Sequence, residues 1–328
     1  MLHRSTVLAA SVVLALFAPQ QQPPVFRGAR ETVLVPATVF DRYGDLVTTL
    51  GRDDFAVRDD GKVQEITNFS SGLQPITAAV LVDTSLSMTL AIERARAAAE
   101  VFVDRLRPDD KAIVGTFNSR VSLDPHFTGD RDQLGRLLHA DTSFGNPTRL
   151  FDAIDAAFDA LVAQDGRRVV VVFTDGCDTQ STVSWPALHA RALAEDIMIY
   201  AVQFRTRIPT EPGVRFRSDC ELHMRTELPV SASIGDILRT YDPDRIVSSA
   251  LVLSDLTRDT GGDRLFLSNL EDINATFTRI MTELHYQYLI GFSPTKKDGK
   301  LHVLSVSVKD RTMTVRTRRS YQAPIGRG

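Results

Sequence analysis

The sequence predicts an α/β fold in which a mostly parallel sheet is sandwiched by helices and inserted into a small β module built from both ends of the chain. Three observations predict it. Between residues 75 and 285, runs of β character alternate with long amphipathic helices, the order that builds a parallel sheet. Those runs, at 78–82, 112–117, 169–173 and 197–202, are almost continuously apolar, as strands buried on both faces should be. The stretches before and after this region read as β, and the first offers only three strands, too few to be stable alone. The two ends are therefore expected to pair with each other.

Taken in order, 32–40 reads as a strand and Asp41 to Gly44 as a turn. A second strand at 54–58 leads through Asp59, Asp60, Gly61 and Lys62, a hairpin signal, into a returning strand at 63–69. Residues 71–75, with Gly72 and Pro75, mark a boundary. The first helix carries Ile92, Ala95, Ala99, Phe102, Val103 and Leu106 on one face, and Pro108 stops it. A later helix presents Leu150, Phe151, Ile154, Ala157, Phe158 and Leu161 in the same way. Residues 205–248 break the alternation. They hold Pro209, Pro212, Pro229 and Pro243, many charges and little periodicity, and are expected to form an insertion on the face where the strand at 197–204 ends. A helix from Ser249, the pair Gly261 and Gly262, a short strand and a last helix follow. That helix carries Leu270, Ile273, Phe277, Ile280, Met281 and Leu284 on one face. Strands at 286–292, 301–309 and 312–318 close the chain, and Leu304, Val306 and Val308 alternate with serines, the mark of a strand covered on one face. The expected division is 31–72 and 286–322 for the β module and 75–285 for the α/β domain.

The chain has 328 residues, is 43% hydrophobic and 24% charged, and carries a net charge of −3, which argues against nucleic acid as a partner. Arg316, Arg318 and Arg319 read as a solvated strand face. After a short basic start, residues 5–18 are uncharged and apolar, long enough for a signal-peptide core and short for a membrane span. Residues 1–18 are expected to be a signal peptide or N-terminal anchor, and 19–30 a Pro/Gln-rich tether. The protein is then exported to the periplasm, the cell envelope or the medium. Its two cysteines, Cys177 and Cys220, permit one disulfide there. His223, with Asp219 and Glu221 near it, reads as solvated.

Chemistry concentrates at Asp83, Ser85 and Ser87, a carboxylate and two hydroxyls directly after the apolar run at 78–82. Thr148 offers a hydroxyl where the helix near Arg149 begins, and Asp175 ends the run at 169–173, just before Gly176. All five oxygen side chains leave the carboxyl edge of one sheet, where open α/β sheets place their sites. Hard oxygens suit Mg²⁺, with Mn²⁺ or Ca²⁺ as alternatives. Five side chains leave a coordination position for a partner's carboxylate.

At these residues the chain resembles a von Willebrand factor A domain with a metal-ion-dependent adhesion site, which implies a Rossmann-like fold. The likeness rests on Asp83 to Met88, on Thr148, and on the stretch from Val171 to Gly176. The flanks are similar to the VWFA-related domain family described from Acidobacteria, at 53–57, 60–62, 288–294 and 315–321. Two departures stand out: Gly145-Asn146-Pro147-Thr148 replaces a common Gly-Gly-Thr, and Leu86 stands where Gly is common.

The expected function is thus a binding module whose metal bridges to an Asp or Glu on a protein partner, with Leu86, Asn146 and Cys177 as contact candidates. No catalytic residue is predicted: the sequence shows no Ser/His/Asp order, no paired acid and base, and no phosphate-cradling glycine loop. A metal-assisted hydrolase and a structural envelope protein are the alternatives.

Overall fold

The computed structural model describes residues 32–140, 143–145, 147–204, 249–267 and 271–325. The predicted leader, the tether and the 205–248 insertion lie outside the described residues.

The α/β domain is built on a six-stranded sheet of order β10-β9-β8-β5-β6-β7. Its strands are β5 (Ile76–Asp83), β6 (Lys111–Phe117), β7 (Val121–Leu123), β8 (Arg167–Thr174), β9 (Ile197–Phe204) and β10 (Arg264–Leu267). All neighbours run parallel except β7, an antiparallel edge. Every residue of β5 and of β9 is buried, which is why their sequences show no alternation. Successive residues serve opposite faces. Ala78, Val80 and Val82 join α1 (Ile92–Asp104), α2 (Arg131–Ala140) and α6 (Glu271–His285) in one core. Ala79, Leu81, Val170 and Val172 join α3 (Leu150–Leu161), α4 (Trp185–Ala194) and α5 (Ser249–Asp259) in the other. The expected helical faces are the ones that pack, apart from Leu270, which lies outside the described residues. Helices α2 and α4 were not predicted. Each buries only two apolar side chains, Leu134 and Leu138, or Leu188 and Ala192, too few for a periodic signal. No described helix is long and apolar enough to cross a membrane.

The β module consists of two antiparallel four-stranded sheets, β13-β1-β11-β4 and β14-β12-β2-β3. From the N-terminal side come β1 (Val33–Phe40), β2 (Phe55–Asp59), β3 (Lys62–Gln64) and β4 (Ile66–Ser70). From the C-terminal side come β11 (Tyr288–Phe292), β12 (Leu301–Val308), β13 (Thr314–Thr317) and β14 (Ser320–Gln322). The two ends of the chain pair directly: Val35 lies opposite Ile290, and Val57 opposite Val306. Both sheets feed one core containing Val35, Val57, Tyr288, Phe292, Leu304 and Tyr321. One expectation needs correction. The returning strand at 63–69 is two strands in different sheets. The hairpin holds β3 against β2 for three residue pairs, and β4 then leaves to pair with β11.

The arginines of β13 and its flank also need correction. Arg316 is not a solvated side chain. It reaches across to the α/β domain, donating to Asp263 Oδ2 at 2.9 Å, to the hydroxyl of Tyr200 at 3.2 Å and to the buried carboxylate of Glu283. Arg318 pairs with Asp196 at 3.2 Å and donates to the Leu34 carbonyl at 2.8 Å. Arg319 alone stays well exposed. Strand alternation shows which residues share a face, and here that face meets a second domain. Gly262 marks how tightly the chain turns nearby: a Cβ there would sit 1.8 Å from the Ile199 carbonyl oxygen. Arg316→Ala strips Glu283 of its main buried partner and is expected to cost about 3 kcal/mol. Chemical denaturation of the full chain measures this.

Candidate functional site

The strand order reverses between β5 and β8. From β5 the chain moves on to β6 on one side, and from β8 to β9 on the other. The crevice at the carboxyl ends of such a pair is where open α/β sheets take ligands. Strand β5 ends in Asp83, and β8 ends one residue before Asp175.

Asp83 is fully buried. Its Oδ1 accepts the Ser85 amide at 2.9 Å, and its Oδ2 accepts the Thr174 hydroxyl at 2.6 Å. A single 3₁₀ turn, Leu86–Met88, folds Ser87 back so that its Oγ lies 2.9 Å from that of Ser85. None of these three side chains caps α1, whose N-cap residue is Ala91. Asp175 is held from two sides. Its carbonyl accepts from Gln203 Nε2 at 2.7 Å, and its Oδ1 accepts the Cys177 amide at 3.1 Å. Gly176 makes this possible: its φ is +95°, and a Cβ there would lie 2.7 Å from Gln203 Nε2.

The loop carrying Thr148 is stitched to both neighbours. Gly145 bridges to Ser85, and its amide donates to the Thr84 carbonyl at 3.3 Å. Asn118, just past β6, donates to Thr84 Oγ1 at 3.0 Å and to the Ser143 carbonyl at 3.2 Å. On the other side, the Thr148 amide donates to Thr179 Oγ1 at 2.8 Å, and its carbonyl accepts from the amides of Thr179 and Gln180. The loop after Asp175 also caps α3: Asp178 Oδ1 accepts the Phe151 amide and Ser181 Oγ the Asp152 amide, both at 3.1 Å. Three loops from separate parts of the sequence therefore form one surface.

Burial, and after it the negative charge of Asp175, pushes the Asp83 carboxyl up to about 7, against the hydrogen bonds from Ser85 and Thr174. Two buried carboxylates that repel each other form a place a divalent cation would stabilise. The donors nearby are oxygens, which fits Mg²⁺.

Asp83, Ser85 and Ser87 are thus brought together, Asp175 acts electrostatically on Asp83, and the Thr148 loop is tied to both sides. Leu86 is 50% exposed beside them, and Phe144, which sequence reasoning did not single out, is 39% exposed on the stitched loop. Cys177, a contact candidate from the sequence, is only 2% exposed. Asn146 and Cys220 lie outside the described residues. Sequence reasoning also missed Asn118, Thr174 and Gln203, which position the site. Thr174 and Asn118 each follow an apolar run directly, the one signal that marked them.

No curated protein matches the chain. Among solved structures it is similar to an aerotolerance-related membrane protein from Bacteroides fragilis, at 18% identity and a TM-score of 0.45, covering 64% of this chain and 98% of that one. It is similar also to the conserved hypothetical protein BatB from Bacteroides thetaiotaomicron, at 19% identity and a TM-score of 0.43, covering 63% and 96%. A von Willebrand factor type A protein from Catenulispora acidiphila matches at 9% identity and a TM-score of 0.46, covering 82% and 74%. These likenesses are too distant to add to the fold, which rests on the strand order above. Residues 78–177, the stretch holding all five predicted ligands, match the family model of the von Willebrand factor type A domain.

Proposed function

We propose that the protein is an exported binding module that holds Mg²⁺ through Asp83, Ser85, Ser87, Thr148 and Asp175 and uses it to capture an Asp or Glu side chain on a protein partner. The observation that supports this most is the pairing of two buried carboxylates, Asp83 and Asp175, at the point where the strand order reverses. Asp83 and Asp175 supply charge and the hydroxyls neutral oxygens, and a coordination position stays open for the partner's carboxylate. Leu86 and Phe144 give the rim an apolar contact beside that position. The module acts by binding and not by chemistry on its ligand. Affinity capture from envelope extracts, with and without chelator, tests this. Capture that needs Mg²⁺ and is lost in Asp175→Ala supports it. Mg²⁺ stabilisation without metal-dependent capture would leave the ion as a brace of the fold and overturn the binding reading.

Within this reading Cys177 pairs with Cys220, fastening the 205–248 insertion beside the metal. Peptide mapping without reduction is expected to yield one linked species containing both cysteines, and two alkylatable thiols would refute the pairing.

A further inference from the structure

A second cluster of ligating atoms lies in the β module, in a different sheet from the one that carries Asp83. Asp59 ends β2, Asp60 starts the hairpin turn, and His302 lies in β12, the strand paired with β2. The turn holds Asp60 at a φ of 47° and Gly61 at 77°, the left-handed backbone of a two-residue hairpin turn. Single ligand atoms from Asp59, Asp60 and His302 all fall within 4.8 Å of one another. His302 Nδ1 is 2.7 Å from Asp59 Oδ1 and 3.9 Å from Asp60 Oδ2, with the Tyr321 hydroxyl 3.3 Å away. Donors around a four-coordinate ion with bonds of about 2.0–2.1 Å lie about 3.3 Å apart, the middle of that range.

We propose that Asp59, Asp60 and His302 Nδ1 bind a first-row divalent transition metal, Zn²⁺ above all, at a site separate from the oxygen-only one.

An independent feature supports this. The other ring nitrogen, Nε2, is 3.1 Å from Asp298 Oδ1, and Asp298 is not one of the three ligands. A carboxylate behind a histidine fixes the tautomer and leaves the facing nitrogen free to ligate, the arrangement that metal-binding histidines adopt. Asp298 is itself fixed by the Lys300 amide at 3.0 Å. The chemistry separates the two sites: one nitrogen with two carboxylates suits Zn²⁺, Co²⁺ or Mn²⁺, whereas the oxygens around Asp83 suit Mg²⁺. There is also a way in. His302 and Asp59 are buried, but the Asp60 side chain is 43% exposed, so an ion and a water as fourth ligand can enter from that side. The ion takes the place of the proton between Asp59 and His302, so uptake releases one proton and weakens as pH falls.

The test is calorimetric titration of the chelator-stripped full chain with Zn²⁺, with Co²⁺ absorption as a second reading. The wild type is expected to bind one Zn²⁺ that Asp83→Ala leaves unchanged. His302→Gln and Asp60→Asn should each weaken it by at least tenfold and abolish the visible Co²⁺ bands, and Asp298→Asn should weaken it by about tenfold. Asp60→Asn keeps the exposed turn and should fold normally, so the test stands even if His302→Gln does not fold. Zn²⁺ affinity that is absent in the wild type, or equal in wild type and Asp60→Asn, would overturn the proposal and leave His302 as a protonated pin between β2 and β12.

Discussion

Asp83→Ala is expected to abolish the rise in melting temperature that Mg²⁺ gives the wild type. This follows from the burial of that carboxylate beside Asp175. Without a cation, alanine relieves the repulsion of the ionised pair but leaves the buried Ser85 amide and Thr174 hydroxyl without their acceptor, so the two effects oppose each other in the chelated protein. With a cation, the same pair is the main source of binding energy. The pH dependence has a definite sign. In the folded protein Asp83 titrates at about 7, above the ordinary 3.8, so the folded state holds its proton more tightly than the unfolded chain does. Its contribution to the stability of the chelated wild type is whole below about pH 4 and is lost as pH climbs toward 7. Mg²⁺ stabilisation should grow over the same interval, and in Asp83→Ala it should stay flat. Melting curves from pH 4 to 8, with Mg²⁺ and with chelator, measure all of this. An equal Mg²⁺ response in wild type and variant would move the metal away from Asp83.

The sequence was most legible where one residue's surroundings are set by its own strand. The unbroken apolar runs of β5 and β8 announce strands covered on both faces, and a carboxylate where each run ends places Asp83 and Asp175 at one edge from sequence alone. The alternation in β12 likewise announces one covered face. Contacts between distant parts of the chain were not legible, because no local pattern encodes them. Asn118 looks like an ordinary loop residue, yet it joins two of the three site loops. Arg316 looks like half of a solvated face until Glu283 and Tyr200 are set against it. The split of β3 from β4 was hidden for a related reason. A one-residue change of sheet at Glu65 leaves the β character of the sequence intact.

Asp110→Ala is expected to be the most destabilising single change at the opposite edge of the sheet. Asp110 lies just before β6 and is almost completely buried. Its Oδ1 accepts the Ile76 amide at 2.9 Å, the first residue of β5. Its Oδ2 accepts the Arg107 amide at 2.6 Å and lies 2.8 Å from His285 Nε2 at the end of α6. One carboxylate thus ties the start of the central strand to the turn after α1 and to the last helix, just where the chain passes into the β module. Alanine leaves two amides and a ring nitrogen without their acceptor. At about 1–3 kcal/mol for each buried group left unsatisfied, and with some relaxation toward water, a loss of about 3–5 kcal/mol is expected. Asp110→Asn keeps an acceptor oxygen and should cost less. Burial alone would raise the Asp110 pKa, but the bonds from His285, Ile76 and Arg107 outweigh it and hold the carboxyl below its ordinary 3.8. Its contribution is therefore present above about pH 4 and disappears as pH falls through the folded value, so the gap between wild type and Asp110→Ala should narrow in acid. Denaturant titrations at pH 7 and at pH 3 measure both. Because this edge lies a full strand length from Asp83, Mg²⁺ stabilisation of whatever fraction remains folded should match the wild type, which separates a loss of fold from a loss of site.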